Sequence, residues 1–138
     1  MIRTATTFDI PGMVELGERQ HARSHWQGVI PFDAGDCASS FRYFIDTDAI
    51  CTLVAEQDGL IVGFIIVMVF PMYFNTSVMS AHELCWFCES PIDAFALEAS
   101  ARQWASQKGC AIIAIGAQED ARTERLEHVY ARKGYQPF

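Results

Sequence analysis

Three groups of residues in this chain have types and spacings that suggest chemistry. Cys85-Trp-Phe-Cys88 has the spacing of a thiol pair that binds a metal or cycles through a disulfide. Its segment reads as a strand, where residues three apart face opposite sides of a sheet. The two thiols then share no ligand unless a turn intervenes, and Trp-Phe is a poor turn. His21 and His25 stand four apart on a helical segment and suit zinc, but no third ligand accompanies them, so a solvated helix face is the simpler reading. No metal site is expected.

The third group is the junction Glu89-Ser-Pro-Ile-Asp-Ala94, which joins an apolar strand to an alanine-rich helix. A helix start that grips phosphate needs close backbone approach and free amides, usually with glycine and a basic residue. This junction has neither. Pro91 removes a donor, and Glu89 and Asp93 place their own negative charge at the positive end of the helix dipole. It reads as a self-capped structural turn.

The elements that must position these groups follow from periodicity. Ile2 to Thr6 reads as a short strand. Asp9 caps a helix with Pro11 in its first turn and an apolar stripe at Ile10, Met13, Val14 and Leu16, running to about Ser24. Gly28 to Gly35 is a loop, and Asp36 caps a second helix over Cys37 to Ile45. Ile50 to Glu56 and Leu60 to Phe70 form a hairpin around Gln57-Asp58-Gly59, the second arm apolar on both faces as a central strand is. Gly63 inside it marks a bulge or a close approach. Pro71 to Ser80 reads as a loop and Ala81 to Glu89 as a strand. Helix Ile92 to Lys108 stops at Gly109, strand Cys110 to Ile115 follows, then helix Ala121 to Lys133 stopped by Gly134, and a stub of strand at Tyr135 to Phe138. The order β-α-α-β-β-β-α-β-α-β predicts an α/β layered fold with a mixed sheet, in one domain spanning 1–138.

Composition narrows the function classes. The 138 residues are 51% hydrophobic and carry a formal charge of −7, which argues against a nucleic-acid or anionic-membrane binder, since those need a basic face. The longest apolar run, Leu60 to Phe70, is far short of the ~20 residues that span a bilayer. Five cysteines, an odd number scattered among apolar segments, suit packing in a reducing compartment, so a cytoplasmic protein is expected, in a host cytoplasm or a virion if phage-encoded.

The element order and three local matches resemble the GCN5-related N-acetyltransferase (GNAT) family, particularly its compact phage-type members. "IRTATTFDIPGMVEL" is similar to the family's opening strand and helix, "LVAEQDGLIVGFIIV" to its hairpin, and "RLEHVYARKGYQPF" to its closing helix and strand. The resemblance covers essentially the whole chain. It implies acetyl transfer from acetyl-CoA to an amine, with pantetheine in a gap between the fourth and fifth strands, along the backbone of Trp86, Phe87 and Cys88. Glu83 is similar in position to the family's general base, and Tyr130 to the tyrosine that protonates the leaving thiolate. The family's pyrophosphate loop aligns with Glu89 to Ala94, where only Ala94 fits. Arg125, together with Arg132 and Lys133, then replaces part of the lost phosphate contact.

The residues also carry plainer readings. Glu83 pairs with Arg42 or is solvated, Tyr130 packs in the core beside Leu126, the last helix's cations form a solvated face, and His82 and His128 are surface histidines. Two functions therefore stand side by side. One is an N-acetyltransferase acting on a small-molecule amine or a protein amino group. The other is a catalytically inactive GNAT-fold interaction or structural protein that binds a protein partner. Relatives of this type continue past the Gly-aromatic pair with another strand, so the sheet edge here is an open pairing template and a homodimer is expected.

Overall fold

The structure, a computed structural model, describes residues 1–116 and 123–136, with side chains from residue 128 onward in the second stretch. Strand β1 (Ile2–Thr4) leads through a 3-10 turn (Thr7–Asp9) into helix α1 (Ile10–Arg23) and then α2 (Ala34–Ile45). Strands β2 (Ile50–Gln57), β3 (Leu60–Met72) and β4 (Asn75–Cys88) follow, then α3 (Pro91–Gln107), β5 (Cys110–Ala114) and α4 (Thr123–Arg132). The strands lie in sequence order, antiparallel from β1 to β4 and parallel between β4 and β5. This is the mixed, mostly antiparallel layered α/β sheet expected from the sequence. Of the expected terminal strand, Tyr135 and Gln136 are not in a strand, and Pro137 and Phe138 lie outside the described residues.

Each sheet face buries its own cluster. Ile65, Val67 and Ala81 pack with Leu97, Ala101 and Ala105 of α3 on one side. Val54, Phe64 and Ile66 pack with Met13 and Leu16 of α1 and Phe41 of α2 on the other. The alternation along β3 assigns Ile65 and Val67 to one cluster and Phe64 and Ile66 to the other, as a strand covered on both faces requires. Each fully buried side chain of this size contributes about 1.5–3 kcal/mol.

The β2–β3 hairpin closes through Asp58 and Gly59, both at positive φ (51° and 79°), the two-residue turn whose twist matches the strands. Opposite this hairpin's second arm, Gly63 meets Cys88: a Cβ on Gly63 would stand 2.7 Å from the Cys88 Cβ and 3.0 Å from its Cα. Close approach and bulge coincide, because the β2–β3 register also shifts between Ala55 and Glu56 beside Gly63.

Three local expectations are corrected. The stretch Pro71 to Ser80 is mostly strand, with a turn only at Tyr73-Phe74. Pro71 is tolerated because the β3–β4 register shifts there and β2 pairs with β3 only as far as Met68, so no neighbour asks for the missing amide. Helix α2 starts at Ala34 with Asp33 as its cap, since the Asp33 carboxylate accepts from the Asp36 amide at 2.9 Å; Asp36 lies inside the first turn. Asp9 does not cap α1 with its side chain. Its carboxylate accepts from Arg3 and from the Thr6 amide, tying β1 to the start of the helix.

Candidate active site at the parting of β4 and β5

β5 is five residues long and β4 fourteen, so the parallel ladder covers only part of β4. It runs from Met79 opposite Cys110 to His82 opposite Ala114. From Glu83 to Cys88 no described strand covers that edge of β4. A bulge marks the change: on β3, Val67 stands opposite Glu83 and Ile66 opposite Cys85, leaving Leu84 as the extra residue. Among the described residues this stretch of β4 backbone is unpaired on that side, the candidate wedge between β4 and β5.

Hydrogen-bond alternation fixes which backbone groups face it. The Glu89 amide donates to Val62 O at 2.9 Å, so the Cys88 and Trp86 positions are non-bonded pairs with β3 and turn their N–H and C=O toward the open edge. Gln20 Nε2 from α1 donates to Trp86 O there at 3.4 Å. Phe87 falls on the bonded side, its backbone facing β3 and its ring packed toward α1 and α2.

Glu83 sits where the ladder ends. Its Oε2 accepts from the Gly116 amide at 2.8 Å, two residues past the end of β5. Burial pushes its carboxyl up from the ordinary range, opposed by that hydrogen bond. No ion pair with Arg42 forms among the described residues. Tyr130 of α4 is half-buried; its phenol is held well above the usual range by burial first, then by the charges of Glu83 and Glu98. Its ring centroid is 6.1 Å from that of Trp86, whose buried indole Nε1 has no hydrogen-bond partner among the described residues. A carboxyl and a phenol that each favour the protonated form are groups able to exchange protons with a bound reactant.

The start of α3 is closed by its own residues. Ser90 is the cap and its Oγ accepts from the Asp93 amide at 3.4 Å, Pro91 occupies the first helical position, and the Ala94 amide donates to Ser90 O at 2.9 Å. Glu89 accepts from Arg19 Nε at 2.7 Å, and Asp93 accepts from Gln57 Nε2. Of the amides at the helix start that lack an intrahelical partner, Pro91 supplies none and that of Asp93 is turned to Ser90 Oγ.

Cys85 belongs to the cluster facing α1 and α2, and Cys88 to the one facing α3, so the pair faces opposite sides as the strand geometry predicts. Burial pushes the Cys85 thiol far above its usual range, with Glu83 adding to the effect, which removes it as a nucleophile at neutral pH. His21 Nε2 lies 2.6 Å from Ile30 O and His25 packs on Trp26. Among the described residues no cluster of three or more His, Cys, Asp or Glu suits a metal ion. The Arg125 side chain and Leu126 lie outside the described side chains. Lys133 does not reach the wedge: its ammonium bonds Glu98 at 2.9 Å.

The sequence reading missed Glu98, fully buried on α3 and bonded by Arg102, Lys133 and Tyr135. Its signal was faint, a lone carboxylate next to Leu97 in an alanine-rich helix whose partners come 35 and 37 residues later.

No family model matches the chain, and no curated protein matches its sequence. Solved structures do match over its full length. A putative acetyltransferase from Agrobacterium tumefaciens str. C58 superposes with a TM-score of 0.78 at 14% identity, covering 100% of this chain and 94% of the other. A predicted acetyltransferase from Clostridium acetobutylicum, solved with acetyl-CoA, gives 0.73 at 19% identity and covers 100% and 90%. The fold is that of the GNAT acetyltransferases. The GNAT-fold enzyme AAC(6')-Iy, in complex with a bisubstrate analog, CoA-S-monomethyl-acetylneamine, gives 0.76 at 17% identity and covers 99% and 90%. Among the described residues no helix of this GNAT-fold chain is long and apolar enough to cross a membrane.

Proposed function

We propose that the protein transfers an acetyl group from a thioester to an amine at the β4–β5 wedge, and that it does so without the family's pyrophosphate grip. The observation that carries this reading is the half-buried Glu83 at the end of the β4–β5 ladder, on the strand whose Trp86 packs against Tyr130, where no described strand covers the β4 edge. Glu83 accepts a proton from the substrate ammonium, and the amine nitrogen attacks the thioester carbon. Amides on the β4 edge stabilise the oxyanion. As the carbon–sulfur bond breaks, Tyr130 gives its proton to the thiolate, and it regains one from the nitrogen of the new amide through solvent. The products are an amide, a free thiol and the proton taken by Glu83.

Acetyl-CoA, bound in the Clostridium structure, is the donor that the neighbours suggest, and the acetylneamine joined to CoA in the AAC(6')-Iy complex suggests a small amine as acceptor. In this chain the donor is held chiefly by its pantetheine arm along Trp86 and Cys88. A carboxylate about 5 Å from a pyrophosphate opposes binding by about 1.5–3 kcal/mol at an effective dielectric of 20–40. Arg19 neutralises part of the charge of Glu89, which leaves Asp93 as the principal repulsion. A homodimer through the edge of β5 that no described strand pairs with, where Ala111 and Ile112 are exposed, completes the reading; a monomer in light scattering would remove that part of it.

Isothermal titration with acetyl-CoA and with acetyl-pantetheine, beside a thiol-release assay over a panel of amines, tests it. Similar affinities for the two donors together with thiol release support it. Strong preference for acetyl-CoA shows that a phosphate site exists elsewhere. No binding of either at millimolar concentration favours the second reading, a GNAT-fold interaction protein, for which the self-capped start of α3 is the specific support.

A further inference from the structure

Glu98 is a buried charge that the chemistry above leaves unused. Its side chain is 0% exposed; Arg102 Nε pairs with it at 3.1 Å, and Lys133 Nζ at 2.9 Å and the Tyr135 hydroxyl at 2.8 Å donate to it. Arg102 lies one turn along the same helix and can neutralise the carboxylate locally. Lys133 and Tyr135 add something different, a tie from α3 to the residues just past α4. An interior carboxylate with long-range partners is costly to desolvate and is more useful for fixing geometry than for stability.

The tie continues toward the wedge by direct contacts. The Tyr135 amide donates to Tyr130 O at 3.0 Å, and the two rings meet edge to face with centroids 5.6 Å apart. Tyr130 in turn stands 6.1 Å from Trp86 on β4. The Lys133 ammonium also lies 5.2 Å from the Phe95 ring of α3, so the end of α4 is fastened to α3 at two points.

We propose that Glu98 is a positioning residue: by holding Tyr135 and Lys133 it fixes the end of α4 so that Tyr130 stays packed against Trp86 of β4. Its consequence for turnover rests on the proposed acetyl transfer, whereas the placement of Tyr130 does not.

The test uses carbon-13 tyrosine NMR of the full chain, whose four tyrosines are assigned by single Tyr→Phe variants, beside steady-state kinetics. In Glu98→Gln the Tyr130 resonance is expected to shift and broaden, and in Tyr135→Phe to do so in smaller measure. Turnover should fall by about tenfold in Glu98→Gln with KM for the thioester within about twofold, and adding Glu98→Gln to Tyr130→Phe should cost nothing further. A Tyr130 resonance unchanged in folded Glu98→Gln, or losses that multiply in the double variant, would overturn the proposal. Should Glu98→Gln fail to fold, an unmoved Tyr130 signal in Tyr135→Phe overturns it equally. Absence of turnover in the unaltered protein defeats the acetyl-transfer reading, and the NMR comparison still decides the placement.

Discussion

The Gly116 amide and the Glu83 carboxylate join at 2.8 Å one step beyond the last rung between β4 and β5, so the bond that ends the ladder also holds the candidate base at the wedge. Partial burial makes ionising this group costly. Its folded pKa lies above its unfolded value, so the folded state binds the extra proton between the two. Stability therefore falls as pH rises from the unfolded value through the folded one. Glu83→Gln keeps an oxygen for the Gly116 amide and removes the charge. Its melting temperature at pH 7 should rise, while thiol release should fall by about a hundredfold or more. In the unaltered protein kcat/KM should climb with pH through an apparent pKa above the ordinary glutamate value of about 4.3, and the limb should vanish in the variant.

Tyr130 is held protonated by burial and by two neighbouring carboxylates, the state a proton donor to thiolate needs. Tyr130→Phe should lower kcat about 10–100-fold while the calorimetric Kd for acetyl-CoA changes by less than about twofold. Weakened binding with unchanged kcat would make Tyr130 a wall of the donor site.

The start of α3 can be redesigned toward phosphate binding. Ile92→Gly with Glu89→Arg removes the ion pair with Arg19 and supplies a cation at the helix terminus, although Pro91 still withholds its amide. Acetyl-CoA should then bind about tenfold or more tighter, and acetyl-pantetheine should not, since only the former carries the pyrophosphate. Equal gains for both would place the effect in the wedge.

Much of this architecture was legible in the residues themselves. The Asp58-Gly59 turn, the doubly apolar β3 and the glycine-free start of α3 each follow from local rules, and each occurs where expected. The β3–β4 turn was hidden because Tyr73 and Phe74, its two central residues, are aromatic and not turn formers, while Pro71 argued for a loop. Which amides of β4 lack a described partner depends on a bulge at Leu84 and on where β5 ends, neither of which has a compositional signature. Glu98 stayed invisible because its partners are set by tertiary packing and not by spacing.

Gly63 gives a test of packing at the wedge's far wall. Any Cβ there overlaps Cys88, reaching its Sγ as well as its Cβ at 2.7 Å. Because the obstacle includes the Cys88 backbone, no rotamer change relieves it. Gly63→Ala should cost about 1–3 kcal/mol in urea unfolding, and Cys88→Ala should not restore it. Rescue by Cys88→Ala would show that only the thiol stood in the way.

Arg3 donates from Nη1 and Nη2 to the two Asp9 oxygens, each at 2.8 Å, and the Thr6 amide adds a third bond of 2.8 Å to a residue only 7% exposed. The Arg3 hydrogen bonds hold the Asp9 carboxyl below its ordinary range, against the opposing effect of burial. The folded pKa is depressed, so the associated stability is fully present above the unfolded value of about 3.9 and is lost as pH falls through the folded value. Asp9→Asn should therefore cost about 1.5–3 kcal/mol at pH 7, the worth of hydrogen bonds to a charged group. The gap between the two proteins in urea midpoint should narrow steadily below about pH 4, because the unaltered protein is then losing the charge that the variant never had. A gap of constant size down to pH 2 would mean that Asp9 acts through shape alone.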